Sequence, residues 1–329
     1  MKKVLFDEIH TLEKQKFLKE KMQQVSNEIH SKFTKLEKVN NCPVCQSKSI
    51  HQYTECFGYE MDICDECNHI FTNPFPSYEA LDYYYNSDLK DFENKFFMDS
   101  FENRIPIFDR RILEIEKYLG RDSQLLDVGS AIGIFIEALF RKNNPFKVTA
   151  CDLNQKACLY LQDTYKGLEV LNENIYSLSK PDSYFDGISL WDTVEHLTDP
   201  DRFLIKIKDL LKPGGYFFFS TPNTFSFEWG VMETDHVQLL PPGHVNLYNS
   251  KNIKIILEKT GFQVVDIQTL NASLDISYIL KNYIKDSYSP LEKFILNRLK
   301  DDSIFFESFN DYLVQTKSAG NMLVIARKE

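Results

Sequence analysis

The sequence lacks the features of a membrane, exported or nucleic-acid-binding protein. It has no apolar run of the roughly 20 residues that span a bilayer, and its start lacks a signal-peptide core. It also lacks a basic excess, since 38 Lys and Arg residues face 48 Asp and Glu residues and the formal net charge is −10. A nucleic-acid enzyme normally carries a basic face. We therefore expect a cytoplasmic protein with a small-molecule substrate.

Cysteine is scarce, with seven residues, and the odd count argues against a disulfide framework. Four of the seven form two Cys-x-x-Cys pairs separated by eighteen residues, namely Cys42, Cys45, Cys64 and Cys67. Without an export signal this spacing favours thiolates on a metal, and four sulfurs close a structural Zn²⁺ site. Asn68 follows the second pair, where a left-handed residue is often needed. We predict a zinc ribbon over residues 41–76, without His69 as a ligand.

Proline and glycine are absent from residues 1–40, which are rich in Lys and Glu. Apolar residues recur there at three- and four-residue steps: Leu18, Met22, Val25, Ile29, Phe33 and Leu36. This spacing predicts an amphipathic helix packed on its own protein, with a self-association helix as the alternative. Residues 77–104, which follow the ribbon, cluster tyrosines and phenylalanines. They are predicted to pack at a domain interface or to form a lid over a ligand.

One stretch combines an apolar strand, a tight turn and a helix. The strand ends in Asp127, the turn holds Gly129, Ala131 and Gly133, and apolar residues then recur at helical spacing. This order is typical of a doubly wound α/β sheet, whose ligands bind at the carboxyl ends of the strands. A dinucleotide fingerprint does not fit, because its sixth position is Ile134 rather than glycine.

The pattern Asp-x-Gly-x-Ala-x-Gly resembles the first motif of class I methyltransferases that use S-adenosylmethionine. Further motifs of that family follow in the same order: Phe185-Asp186, Glu195-His196-Leu197, Asp199-Pro200 and Lys212-Pro213-Gly214-Gly215. The resemblance covers roughly residues 105–270 and resumes at a final strand over 321–327. It implies a Rossmann-like α/β domain over residues 105–329, with a seven-stranded sheet. Residues 275–318 are predicted to be a helical insertion before the last strand, serving as a cap or an oligomer contact.

The cofactor site follows from the same motifs. Asp152 ends the predicted second strand, where an acid can accept hydrogen bonds from both ribose hydroxyls. After a third strand at 168–171, Asn174 would meet the adenine amine and Ile175 would pack against the ring. The resemblance implies an S-adenosylmethionine site formed by Asp127, Gly129, Ala131, Gly133, Asp152, Leu153, Asn174, Ile175 and Trp191.

The pairing of ribbon and catalytic core is similar to methyltransferases of sugar and surface-polysaccharide biosynthesis. It implies a carbohydrate or nucleotide-sugar acceptor. The chain partly resembles sugar C-methyltransferases, but Pro242-Gly243 stand where an acidic pair usually precedes the histidine. Those enzymes also carry a large C-terminal domain, whereas this sequence ends at its last predicted strand. We therefore expect O-methylation of a sugar hydroxyl, with C- or N-methylation as alternatives.

A sugar hydroxyl needs a base before it attacks a methyl group. His196 and His244 are the candidate bases, and Asp192 is a candidate orienting partner or alternative base. No second ligand cluster for a catalytic metal is recognised. Two other functions remain open: an RNA methyltransferase, which predicts a basic groove, and a non-catalytic scaffold, which predicts no cofactor binding.

Overall fold

The computed structural model describes residues 9, 12–143, 145–269 and 276–329. They form a four-stranded sheet and a seven-stranded sheet with helices around them. Among these residues, no helix combines the length and the apolar character needed to cross a bilayer.

The N-terminal region holds one long helix, a small sheet and two short helices. Its elements are α1 (Leu12–Lys32), β1 (Ile50–Cys56), β2 (Tyr59–Cys64), β3 (Ile70–Thr72), α2 (Tyr78–Tyr85) and α3 (Asp88–Asp99). Helix α1 buries Met22, Val25 and Ile29 in one apolar cluster with Tyr84 and Leu89. The amphipathic helix is thus packed on its own protein. It ends at Lys32, and the first part of the predicted 1–40 segment lies outside the described residues.

The second region alternates strands and helices. Its strands are β4 (Gln124–Val128), β5 (Lys147–Cys151), β6 (Glu169–Leu171), β7 (Phe185–Trp191), β8 (Leu211–Pro222), β9 (Asn246–Leu247), β10 (Phe262–Gln268) and β11 (Asn321–Lys328). Its helices are α4 (Phe101–Ile115), α5 (Ile134–Arg141), α6 (Gln155–Thr164), α7 (Pro200–Leu210), α8 (Phe227–Met232), α9 (Ser250–Lys259), α10 (Ser277–Asn282), α11 (Pro290–Asp301) and α12 (Ser303–Gln315). The last three form the predicted helical insertion.

The large sheet has the strand order β10-β11-β8-β7-β4-β5-β6. Strands β4 to β8 are parallel neighbours, and β11 runs antiparallel between β8 and β10. Helices cover both faces, so the central strands are buried runs rather than alternating ones. The predicted seven-stranded Rossmann-like sheet is confirmed.

The predicted Gly-Gly turn lies inside β8 rather than before it. Leu211 pairs with Phe185, and the next pair joins Tyr216 to Gly187, so residues 212–215 bulge out of the ladder. Gly214 has a φ of +75°, which an L side chain rarely adopts. The glycines thus allow one strand to contain the turn.

The small sheet has the order β1-β2-β3-β9. Its fourth strand, β9, comes from the second region about 175 residues later in the chain, where Leu247 pairs with Ile70 and Asn246 with Phe71. The ribbon therefore shares a sheet with the second region. Sequence spacing did not predict this, because β9 has only two residues.

Candidate active site

The small-residue turn between β4 and α5 adopts left-handed backbone conformations. The φ angles are +70° at Gly129, +45° at Ala131 and +78° at Gly133. A Cβ added to Gly133 would lie 2.4 Å from Cδ2 of Leu161. Glycine is therefore required at residue 133 both by its conformation and by the close approach of α6.

The two acids of the predicted cofactor site lie next to the turn, and the side chain of Asp152 bonds to it directly. Asp127 is buried at the end of β4, where Ser189 Oγ donates to its Oδ1 over 2.8 Å. Burial raises the pKa of Asp127 to about 7. Asp152 Oδ2 accepts from the Ala131 N–H over 2.8 Å, and its Oδ1 accepts from the Asn154 N–H over 2.7 Å. The Asp152 carboxylate therefore lies directly against the turn.

The remaining predicted cofactor residues follow the next strands. Leu153 is 71% exposed beside Asp152. Asn174 is exposed and its side chain caps a short 3₁₀ turn that begins with the buried Ile175. Trp191 ends β7, and its buried indole Nε1 has no hydrogen-bond partner among the described residues. All nine predicted cofactor residues lie on loops or strand ends at the carboxyl edge of β4, β5, β6 and β7.

The two candidate bases lie side by side although they are 48 positions apart in the sequence. The rings of His196 and His244 are 4.7 Å apart, edge to face. The Nδ1 of His244 lies 3.0 Å from the carbonyl oxygen of Gln238. Because a carbonyl only accepts, His244 Nδ1 carries the hydrogen and its Nε2 keeps a lone pair. Burial lowers the pKa of both histidines, that of His244 to about 4, so both imidazoles are neutral near pH 7.

Glu195 completes this cluster and was missed as a site residue, although its motif had been recognised. Its side chain is buried, and its Oε2 accepts from Thr221 Oγ1 over 3.0 Å. Burial raises the pKa of Glu195 to about 8. One ligand atom each from Glu195, His196 and His244 lie within 4.8 Å of one another. The expectation that no second cluster of metal-ligating side chains exists is therefore wrong, because β8 and the 236–249 loop converge on the end of β7.

Asp192 is engaged on both carboxylate oxygens. Its Oδ2 lies 3.1 Å from Nη2 of Arg111, and Ser220 Oγ donates to its Oδ1 over 2.8 Å. The Arg111 guanidinium also lies 4.8 Å from the ring of Trp191. The sequence did not indicate Arg111, since the spacing in α4 shows only a helix. These contacts favour the orienting role of Asp192 over that of a base.

Helix α2 reaches the histidine pair through one of its tyrosines. Tyr84 is buried in the cluster with α1, whereas the neighbouring Tyr85 is 42% exposed. The Tyr85 hydroxyl lies 3.2 Å from Nδ1 of His196. Lys90, the first turn of α3, lies 5.1 Å from the Tyr85 ring and bonds to Glu93 over 2.6 Å. The aromatic segment thus packs against α1 and contacts His196, while its role as a lid over a ligand stays a prediction.

The two Cys-x-x-Cys turns face each other in the small sheet. The Sγ atoms of Cys42 and Cys67 are 3.7 Å apart, and those of Cys45 and Cys64 are 3.5 Å apart. All four ligand atoms lie within 4.8 Å, and none of the four forms a disulfide. A tetrahedron with Zn–S bonds of about 2.3 Å has edges of about 3.8 Å, so the four thiolates fit this ion. Asn68 has the expected left-handed φ of +56°.

His69 is not part of this group of four sulfurs. It is buried, and its Nε2 lies 2.9 Å from Oδ1 of Asn246. This contact joins the ribbon to β9, and the exclusion of His69 from the ligand set stays a prediction.

Several known proteins resemble part of the second region. The chain is 29% identical over 120 residues to a probable S-adenosylmethionine-dependent methyltransferase of Mycolicibacterium smegmatis. The match covers 36% of this chain and 45% of that protein. A ubiquinone biosynthesis O-methyltransferase of Yersinia enterocolitica is 31% identical over 130 residues, covering 37% of this chain and 53% of the relative. The chain thus spans about half the length of these relatives.

Solved structures can also be superposed on the chain, at lower identity. A SAM dependent methyltransferase from Archaeoglobus fulgidus superposes with a TM-score of 0.48 at 20% identity, over 70% of this chain and 98% of that one. The sequence profile of the methyltransferase domain family matches residues 100–267, just over half of the chain. The chain therefore belongs to the methyltransferase domain family.

Proposed function

We propose that the protein transfers a methyl group from S-adenosylmethionine to a hydroxyl of a small carbohydrate acceptor, in nucleotide-sugar or surface-glycan biosynthesis. The observation that carries this proposal is the arrangement at one sheet edge. A left-handed glycine turn is held by the Asp152 carboxylate, and the His196–His244 pair lies at the neighbouring strand end.

The cofactor side of the proposal uses the turn and the acids beside it. Asp152 is close enough to the backbone of Ala131 to bind ribose hydroxyls at the turn, and Asn174 and Ile175 would contact the adenine. The glycines let a ligand approach the backbone closely, where a Cβ would collide. When bound, S-adenosylmethionine supplies a methyl group on a positively charged sulfur, which makes it the activated reactant.

The acceptor side must position a hydroxyl in line with that methyl group and remove its proton. His196 and His244 are neutral, so either can accept a proton, and Nε2 of His244 already presents its lone pair. The imidazolium that forms on His244 would be favoured by the nearby carboxylate of Asp192. Asp192, held by Arg111, orients this corner of the site.

Two further observations favour this function over its alternatives. The Yersinia relative is named as an O-methyltransferase, which supports an oxygen acceptor over carbon or nitrogen. The net charge of −10 argues against an RNA acceptor. We further propose that Cys42, Cys45, Cys64 and Cys67 hold a structural zinc ion, and that the protein acts in the cytoplasm.

The test combines calorimetry with an acceptor screen. S-Adenosylhomocysteine should bind the purified protein, and a panel of nucleotide sugars should be screened for transfer of radiolabelled methyl from S-adenosylmethionine. The variants His196→Ala and His244→Ala should bind S-adenosylhomocysteine like the wild type and lose most of the turnover. His51→Ala is the matched control, because His51 is exposed on the ribbon and pairs with Asp65. Full turnover in both site variants would remove histidine as the base, and absent cofactor binding would refute the function.

A further inference from the structure

The second region contains the predicted cofactor turn and the two candidate bases, and different hydrogen bonds fix the position of each. We call residues 193–198 and 238–248 the acceptor wall, because they carry His196 and His244; this term rests on the proposed function. We propose that the ribbon fixes the position of the acceptor wall, a role that we call the clamp. In this role His69 and Asn246 are positioning residues. The state of the four-cysteine site would then control the acceptor wall and leave the cofactor turn unchanged.

The first link is a continuous run of backbone hydrogen bonds. The Thr72 N–H of the ribbon donates to the carbonyl of Val245 over 2.9 Å, and the Val245 N–H donates to the carbonyl of Glu195 over 3.0 Å. Val245 thus lies between the ribbon and the motif that carries His196. It also directly follows His244, so one residue joins both histidine-bearing segments to the small sheet.

The second link runs through two fully buried side chains. Asn246 Oδ1 lies 2.9 Å from His69 Nε2, and Asn246 Nδ2 donates to the carbonyl of Leu197 over 2.6 Å. Since Asn246 Oδ1 only accepts, His69 must donate from Nε2. The amide therefore connects His69 to the residue after His196. Loss of either partner would leave a buried polar group unpaired.

The third link joins the wall to a cysteine turn itself. The carbonyl of Cys67 accepts from Nδ2 of Asn249 over 3.2 Å and from Nδ2 of Asn252 over 3.4 Å. Asn249 also donates to the carbonyl of Asn68 over 3.1 Å. Both asparagines begin α9, directly after the wall. A change in the Cys67 turn therefore acts on the end of the wall.

The cofactor turn is held differently. Gly129 N–H donates to the carbonyl of Cys151 over 2.8 Å, and the Ala131 N–H donates to Asp152. Asn172 in turn donates to the carbonyl of Asp152 over 3.0 Å. These bonds join β4, β5 and the loop after β6. None of these hydrogen bonds involves a ribbon residue, although the ribbon cysteines share an apolar cluster with β4 and β5. We therefore expect the two sides to respond separately.

Hydrogen exchange of the full chain tests the clamp without a known acceptor. In His69→Leu, the amides of residues 193–198 and 238–248 should exchange about tenfold or more faster, because their buried anchors are lost. The amides of residues 127–133 and 149–153 should keep their rates. The affinity for S-adenosylhomocysteine should stay within about twofold of the wild type. Removing the metal from the wild type with a chelator, verified by metal analysis, should produce the same pattern.

Two variants separate positioning from general loosening. His69→Gln keeps a side-chain N–H at a similar reach and should restore slow exchange in the wall. Ser49→Ala removes a ribbon hydrogen bond to Asp65 that does not reach the wall, and should leave it unchanged. Unchanged exchange in the wall after both His69→Leu and metal removal would overturn the clamp. Equal acceleration at residues 127–133 would overturn it too. A wild type that fails to bind S-adenosylhomocysteine would refute the proposed function alone, because the exchange result does not need a ligand.

Discussion

The proposed cofactor side and the proposed acceptor side of this site are built in different ways. The proposed cofactor side uses residues 127–175, a contiguous run in which each strand end is followed at once by the predicted site residues. The acceptor side brings together Tyr85, His196 and His244 from three distant segments, and β3 of the ribbon supports it. One side is therefore specified by local backbone geometry, and the other by tertiary contacts. A mutation on the cofactor side should therefore disturb only its own surroundings. A mutation on the acceptor side should also disturb the other segments that meet there.

The largest effect is expected at the turn of the cofactor side. Gly133→Val places a Cβ 2.4 Å from Leu161 Cδ2 at a φ of +78°, so the strain of that conformation, about 1–3 kcal/mol, adds to a steric clash. We expect urea unfolding to show a loss of about 3 kcal/mol or more, and no binding of S-adenosylhomocysteine. Gly120→Ala is the control, because nothing lies within 4 Å of its added Cβ. A Gly133→Val protein that binds normally would show that the turn does not form the cofactor cradle.

An intermediate effect is expected at Asp152. Asp152→Ala removes the acceptor of the Ala131 N–H and the proposed ribose contact. The affinity for S-adenosylhomocysteine should fall about tenfold or more, equivalent to about 1.4 kcal/mol, by calorimetry. Asp152→Asn keeps one carbonyl oxygen as an acceptor, so its affinity for S-adenosylhomocysteine should fall less than that of Asp152→Ala. If the acceptor wall exchanged faster in Asp152→Ala, the separation of the two sides would be refuted; unchanged affinity would remove Asp152 from the cofactor site.

The smallest effect is a pH dependence on the acceptor side. Burial raises the pKa of Glu195 above its ordinary value near 4.3, so the folded state holds a proton that the unfolded state releases. This contribution to the free energy of unfolding is complete below about pH 4 and is lost as the pH rises toward about 8. Glu195→Gln removes the loss and keeps an acceptor for Thr221.

Urea unfolding of the wild type and Glu195→Gln at pH 5 and pH 8.5 measures this difference. Between pH 5 and pH 8.5, the free energy of unfolding of the variant should rise by about 1 kcal/mol or more relative to that of the wild type. His236 and His244, whose pKa values burial lowers to about 3 and about 4, act in the opposite direction below pH 6.5 and cancel in the comparison. A constant difference between the proteins at both pH values would show that Glu195 ionises normally.

The contrast also explains what the sequence could predict. The glycine turn and Asp152 were predicted from residues adjacent in the chain, and the seven-stranded sheet from the family resemblance of successive motifs. The four cysteines were found by their spacing, and their sulfurs do lie together. Each of these features has a motif or a spacing that can be recognised in the sequence without knowledge of the tertiary contacts.

Other features had no local signal. Arg111 lies on a helix whose spacing shows only an apolar face, and its bond to Asp192 depends on how α4 crosses the sheet. Tyr85 and Tyr84 are chemically alike in the sequence, yet one is buried and the other meets His196. Glu195 was visible in its motif, but its burial, and hence its raised pKa, arises only when β8 and the 236–249 loop pack against it.

The pairing of β3 with β9 has a consequence for how the chain is made. Until residue 247 has left the ribosome, β3 is the unpaired border of a three-stranded sheet, with its backbone N–H and C=O groups open to any other extended chain. A fragment of residues 1–100 produced alone should therefore be prone to self-association through this exposed strand edge. The border of the ribbon sheet is therefore covered only by a strand that lies about 175 residues later in the chain.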